Sequence, residues 1–123
     1  MKKLTLTTFL VFFGSIVFAE QNTSDIHFLD TIEDLPLAPG MDEINSANII
    51  FETATGRIAE AQALGKNNPI TIRDFYRKTL PQLGWTRIST GIYQRENKIL
   101  KIEISTLKNS NTKIIFSLKP LNP

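Results

Sequence analysis

The sequence predicts a two-layer α+β domain, in which an antiparallel β-meander sheet carries one amphipathic helix packed on one face. Three observations lead to this fold class. Apolar residues recur with a helical period between Ile72 and Leu83. After Trp85 the period falls to two, and short turn signals separate the segments. Strands joined by short connections must be antiparallel neighbours, and an apolar sheet face is buried by an apolar helix stripe.

Before the helix, a strand is predicted over 48–53 and a turn at Thr55-Gly56. The segment 57–64 is ambiguous, because its Ala, Glu, Gln and Leu residues also favour a helix. A strand would place Ala59, Ala61 and Ala63 on one side and would pair with 48–53. We favour the strand and leave the helix open as the alternative.

The helix is predicted over 72–83, with its charged residues outside the apolar stripe. Thr71, with Asp74 three residues later, resembles a capping box at the N-terminal end. Pro81 removes one helical hydrogen bond, so we expect a kink or a break there, and Gly84 supplies a left-handed stop. Trp85 is interpreted as a core residue at the helix end. The stripe consists of Ile72, Phe75, Tyr76, Thr79, Leu80 and Leu83.

Four further strands are predicted over 85–89, 92–96, 99–106 and 112–119. Apolar and polar residues alternate along the last two, so each has one face for a core and one for solvent. We expect Phe75, Leu80 and Leu83 of the helix to pack against that apolar face. It comprises Leu100, Ile102, Ile104, Ile114, Phe116 and Leu118.

The N-terminal residues have the features of a secretory signal. Lys2 and Lys3 precede an apolar stretch of 15 residues from Leu4 to Phe18, and small residues before the junction predict cleavage between Ala19 and Glu20. A membrane-spanning helix needs about 20 residues, so we expect no stable membrane span after cleavage. The predicted organisation is a signal peptide over 1–19, a flexible acidic arm over 20–34 and a single α+β domain over 35–120, in a periplasmic or secreted protein.

The composition excludes cysteine chemistry, and the charged residues are unevenly distributed between the two halves of the chain. The chain has no cysteine, which excludes thiol redox chemistry, disulfides and cysteine metal sites. Residues 20–60 hold nine acidic residues and one arginine, whereas residues 61–123 hold eleven basic residues and three acidic ones. We expect the two halves to neutralise each other inside the molecule. The alternative is a basic surface exposed to anionic partners.

Candidate catalytic residues are few. His27 is the only histidine, and Ser24 and Asp25 lie near it in the predicted arm, where nothing fixes their geometry. The adjacent carboxylates of 33–34 and 42–43 lack the ligand spacing of a calcium loop. A glycine-rich phosphate loop is absent. We therefore predict that the protein is not an enzyme, and we predict no catalytic residue, no cofactor and no metal.

Nucleic acid is not an expected partner either. Arg73, Arg77 and Lys78 share the polar side of the helix, but the neighbouring Tyr76 falls on the apolar stripe, and export removes the usual target.

Phe75 to Trp85 reads FYRKTLPQLGW, preceded by LPLAPG at 35–40 and Gly-Arg-Ile at 56–58, and followed by Tyr-Gln-Arg-Glu at 93–96. With these features the chain resembles a family of small exported bacterial proteins of unassigned function, over about Leu35 to Lys119. The resemblance implies a strand for 57–64. It implies no catalytic residues.

Three functional hypotheses follow. The first is a non-enzymatic domain that binds an unidentified envelope protein through the outer sheet face or the acidic lead-in, since Ile99 and Ile115 are apolar residues on otherwise polar strand faces. The second is a small-ligand or anionic-surface binder that uses the basic half. The third, a weak hydrolase-type enzyme, needs a pocket that encloses two carboxylates.

Overall fold

A computed structural model of the chain describes residues 14–15 and 26–121. Over these residues it has one α-helix packed on a seven-stranded antiparallel sheet, which confirms the predicted α+β class. The helix α1 spans Pro69–Thr79, and 3₁₀ turns span Asn45–Ala47 and Leu80–Leu83. The strands are β1 (Met41–Glu43), β2 (Ile49–Thr53), β3 (Gly56–Gly65), β4 (Thr86–Ser89), β5 (Ile92–Arg95), β6 (Lys98–Thr106) and β7 (Thr112–Pro120).

The strand order is β1-β3-β7-β6-β5-β4, and β2 pairs with β3 next to β1. Strands β4 to β7 form the predicted meander, whereas β3 joins the sheet through antiparallel pairing with β7. The ambiguous segment 57–64 is therefore a strand, in agreement with the favoured interpretation. Its alanines at 59, 61 and 63 are at most 1% exposed, because alternate residues of a strand point to the same face. We call this covered face the inner face.

The core lies between the inner face and α1. Cross-strand pairing places Ala61, Phe116 and Ile102 in one row, and the ring of Tyr76 packs edge-on against Phe116 with 5.6 Å between ring centroids. The predicted helix stripe is correct, but its most buried members are Ile72, Tyr76 and Leu80. Phe75, Leu83 and Ile104 are only partly buried at the margin of the core.

Helix α1 begins three residues before the predicted start. The side chain of Asn68 accepts a hydrogen bond from the Ile70 N–H at 2.8 Å, and Pro69 occupies the first turn. The predicted cap at Thr71 was wrong, because Asn68 followed by proline is a stronger start signal than an incomplete capping box. At the other end the α-helix changes into the 3₁₀ turn that contains Pro81, and Gly84 stops it at φ 89°.

The packed domain extends to residues before 35. Leu29 and Ile32, which the sequence analysis assigned to the flexible arm, are 4% and 2% exposed in the same core as Leu35. Their apolar side chains alternate with acidic residues that remain exposed, such as Asp30 and Glu33. Residues 20–25 and the predicted cleavage site lie outside the described residues.

Two side chains hold this lead-in segment (residues 28–38) against the domain. The Tyr76 hydroxyl accepts a hydrogen bond from the Ala38 N–H at 3.0 Å. The Glu43 carboxylate accepts hydrogen bonds from the Asp30 N–H at 2.9 Å and from the Thr31 hydroxyl at 3.1 Å. The lead-in segment is thus hydrogen-bonded to both α1 and β1.

No helix in the ranges 14–15 and 26–121 is long and apolar enough to cross a membrane.

Candidate functional site

A groove of about 390 Å³ separates α1 from the hairpin of β4 and β5. Its apolar floor consists of Tyr93, Ile102 and Ile104, which belong to the inner face of the sheet. Pockets for small ligands span roughly 300–1,000 Å³, so the groove has the size of a small-molecule site.

Helix α1 forms one wall of the groove. It presents Ile70, Arg73, Asp74 and Arg77, whose spacing of three, four and seven residues places them on one helix face. Ile70 is 66% exposed at the N-terminal end of this wall. The wall therefore combines two guanidinium groups with an uncovered apolar side chain.

The hairpin supplies the opposite wall and a third arginine. Arg87 on β4 is the cross-strand partner of Tyr93 on β5, so both side chains lie on the inner face. Gly91 in the turn has φ +73°, and a Cβ there would lie 2.7 Å from the carbonyl oxygen of Ile102. The Ile102 N–H donates to the Gly91 carbonyl at 2.8 Å, which holds the hairpin end against β6.

The three arginines give the groove an excess of positive charge. Asp74 is the only carboxylate among its lining residues, and it pairs with Arg77 at 2.9 Å. Neither Arg73 nor Arg87 forms an ion pair with any residue that the structure describes. Arg73 and Arg77 are also four residues apart on one helix, an arrangement that costs about 0.2–0.5 kcal/mol by repulsion.

Tyr93 provides a neutral hydroxyl between these charges. Burial raises the pKa of Tyr93, and the nearby Arg87 and Arg77 guanidinium groups lower it in part. The phenol therefore stays protonated at neutral pH and can donate a hydrogen bond. Guanidinium groups bind carboxylates, phosphates and sulfates through paired N–H donors, so the groove is suited to an anion attached to an apolar group.

The residues considered for catalysis do not come together. His27, Glu33, Asp34 and Asp42 are exposed, and Glu43 is occupied by its hydrogen bonds to the lead-in segment. Ser24 and Asp25 lie outside the described residues. Within the part of the chain that the structure describes, no three histidine or acidic residues are grouped as metal ligands. The groove itself encloses one carboxylate, whereas the hydrolase hypothesis needs two.

Trp85 lies in the core at the end of the helix, as predicted, with 3% of its surface exposed. The Arg95 guanidinium stacks over its ring, 4.6 Å from the centroid, and also donates to the Leu83 carbonyl at 3.2 Å. Arg95 is therefore held away from the groove by its own contacts.

Over the residues that the structure describes, no ion pair joins the two oppositely charged halves. Across residues 26–121 the ion pairs are Arg57 with Glu52, Arg77 with Asp74 and Lys101 with Glu103, each between residues close in sequence. None of them connects the acidic lead-in segment with the basic half, and the expectation that the two halves neutralise each other stays a prediction. Of the groove arginines, Arg73 and Arg87 therefore have no ion-pair partner among the described residues.

Comparison with known protein families, curated proteins and solved structures found no match to this chain. The resemblance to a family of small exported proteins stays a prediction. Sequence reasoning noted Arg73 and Arg77 on the polar side of the helix but missed the groove, because no sequence signal connects them with Arg87.

Proposed function

We propose that this protein is a non-enzymatic binding module of the cell envelope, and that its ligand site is the arginine groove lined by Arg73, Arg77 and Arg87. One observation carries the proposal: three arginines from α1 and β4 line a single groove, which has an apolar floor and a single carboxylate among its lining residues. The envelope location rests on the secretory signal predicted over residues 1–19.

The proposed ligand is a small amphiphilic anion with a carboxylate, phosphate or sulfate head. A hydrogen bond to a charged group contributes about 1.5–3 kcal/mol, so contacts from Arg73 and Arg87 supply the larger part of the affinity. The floor residues Tyr93, Ile102 and Ile104 would cover the apolar part of the ligand. The groove is thus expected to discriminate against a neutral amphiphile and against a bare anion.

The structure favours this second sequence hypothesis over docking through the outer sheet face. Ile99 and Ile115, which motivated outer-face docking, are partly buried among neighbouring side chains. The lead-in segment buries Leu29, Ile32 and Leu35 in the core, and its exposed residues include Phe28 and three carboxylates.

The test measures binding of octyl phosphate by calorimetry, below its micelle concentration, beside octyl glucoside and inorganic phosphate. We expect octyl phosphate to bind at least about tenfold more tightly than either comparison ligand, a difference of about 1.4 kcal/mol. The double variant Arg73→Gln/Arg87→Gln should weaken octyl phosphate binding by at least the same factor.

The matched control is Lys113→Gln/Lys119→Gln, which removes the same charge. Both lysines alternate with buried residues of β7 and therefore lie on the outer face, away from the groove. This control should change the affinity less than about twofold. Equal losses in the two double variants, or no binding of octyl phosphate to the intact chain, would refute the arginine groove as the site.

A further inference from the structure

Strand β2 is a sheet edge that no described segment of the chain covers. All five of its residues are exposed, and Ile49, Ile50 and Phe51 expose 44%, 50% and 61% of their surfaces. Within the described residues β2 pairs only with β3, so its other side carries backbone groups without strand partners. Exposed apolar edges of this kind favour pairing with another strand.

The opposite edge of the sheet is protected. Strand β4 is four residues long, carries Arg87, and has a shift of register between Arg87 and Ser89. Short length, charge and irregular register all hinder edge-to-edge pairing. In contrast, β2 contains no proline, glycine or lysine, and its single charge, Glu52, is paired with Arg57 at 2.7 Å. Among residues 26–121, one edge of the sheet is therefore protected and the β2 edge is not.

We propose that β2 pairs antiparallel with β2 of a second copy of this chain, with the two-fold axis at Phe51. This register uses all five residues of the strand and places Phe51 opposite Phe51, Ile50 opposite Glu52 and Ile49 opposite Thr53. Phe51 and Ile58 are cross-strand neighbours within each copy. Two copies thus form a row of four apolar side chains on one face of a continuous sheet.

Charge and symmetry support a second copy as the occupant. In this register each Glu52 lies opposite an isoleucine and keeps Arg57 as its own ion-pair partner, so no like charges oppose each other. Pairing of β2 with β4 of another copy would instead be head-to-tail and would build an open filament. The register shift of β4 opposes that arrangement. The two-fold pairing uses the β2 edge of both copies, so the assembly stops at a dimer.

The interface is small, and the expected dimer is weak. A five-residue strand pair, with three exposed apolar side chains on β2 and the neighbouring Ile58 on β3 in each copy, is smaller than a standard interface of roughly 1,600 Å². We expect dissociation in the micromolar range or above. The arginine groove lies toward the opposite edge of the sheet, so a dimer leaves both grooves open.

The test is sedimentation equilibrium of the chain without residues 1–19, from about 1 μM to 1 mM. We expect a reversible monomer–dimer equilibrium that Phe51→Lys weakens at least about tenfold. Ile88→Lys is the matched control, since Ile88 on β4 is 54% exposed and gains the same charge. It should leave the dimer unchanged. Phe51→Thr, which removes the aromatic ring and introduces a β-branched residue that favours strands, repeats the test if the lysine variant does not fold.

Three outcomes would overturn the proposal: a monomer throughout the concentration range, a dimer unaffected by Phe51→Lys, or larger assemblies that Ile88→Lys abolishes. Octyl phosphate binding by the Phe51→Lys variant is measured in parallel. Because Phe51 is not among the residues that line the groove, and β2 and β4 lie at opposite ends of the sheet, the self-association result is independent of the proposed ligand site.

Discussion

The substitution Tyr76→Phe tests how the lead-in segment is attached to the domain. It removes one oxygen atom and keeps the ring, which packs edge-on against Phe75 at 5.0 Å and Phe116 at 5.6 Å between centroids. The lost hydroxyl accepts the Ala38 N–H at 3.0 Å in a buried position. The variant therefore leaves one buried backbone donor without a partner while the apolar packing remains.

An unsatisfied buried donor costs about 1–3 kcal/mol, and we expect Tyr76→Phe to lower the free energy of unfolding by this amount at pH 7. Native domains are stable by only about 5–15 kcal/mol, so the loss is measurable by urea unfolding. The matched control is Tyr93→Phe. Tyr93 is also buried, but its hydroxyl faces the arginine groove, and we expect its removal to cost under about 0.5 kcal/mol.

The same variant has a predicted pH signature. Burial raises the pKa of Tyr76, and the hydrogen bond from Ala38 opposes this shift only in part. The unfolded chain loses the phenolic proton near pH 10, whereas the folded chain retains it. The stability contributed by the neutral form is therefore fully present below pH 10 and is lost as the pH rises further. The loss approaches about 1.4 kcal/mol per pH unit.

Tyr76→Phe has no phenol to ionise at this position. The difference in the free energy of unfolding between the variant and the natural chain should therefore shrink between pH 9 and pH 11. The measurement is urea unfolding followed by circular dichroism at pH 7, 9, 10 and 11. A cost at pH 7 equal to that of Tyr93→Phe would refute the role assigned to the Ala38 hydrogen bond. A deficit independent of pH would refute the assigned effect of burial on Tyr76.

Two further predictions concern the N-terminal cap of helix α1 and the N-terminus of the exported protein. Asn68→Ala should lower the free energy of unfolding by about 0.5–2 kcal/mol, because it removes the side-chain cap of α1. Thr71→Ala, in the first turn of the same helix, should lower it by less than about 0.5 kcal/mol. Urea unfolding measures both variants, and a larger loss for Thr71→Ala than for Asn68→Ala would contradict the cap assignment. The exported protein should begin at Glu20, which intact-mass measurement of periplasmic protein checks, and recovery of a membrane-bound species that retains residues 1–19 would contradict it.

Local patterns were sufficient to predict most elements of the fold. The alternation of Leu100, Ile102 and Ile104 with polar residues determines both a strand and its buried face, because a strand has a period of two. The stripe through Ile72, Tyr76 and Leu80 determines a helix and the side that it buries. The helix start was readable as well, since Asn68-Pro69 is a start signal that the capping-box interpretation of Thr71 overlooked.

Longer-range choices required the folded chain. Leu29 and Ile32 lie among acidic residues, and nothing local distinguishes an arm from a segment that packs. The pairing of β3 with β7, which are separated by α1 and the meander, also has no local signal. Both were decided by the apolar surface that each segment buries in the common core.

The sequence by itself determined the absence of thiol chemistry, the α+β class, and a polar helix side carrying Arg73 and Arg77. Only the tertiary structure decided that these arginines face Arg87 across an apolar floor, and that β2 is left as an open edge. The physical reason is the same in both cases. Periodicity specifies which face of one element is apolar, whereas a groove or an edge depends on how several elements cover one another.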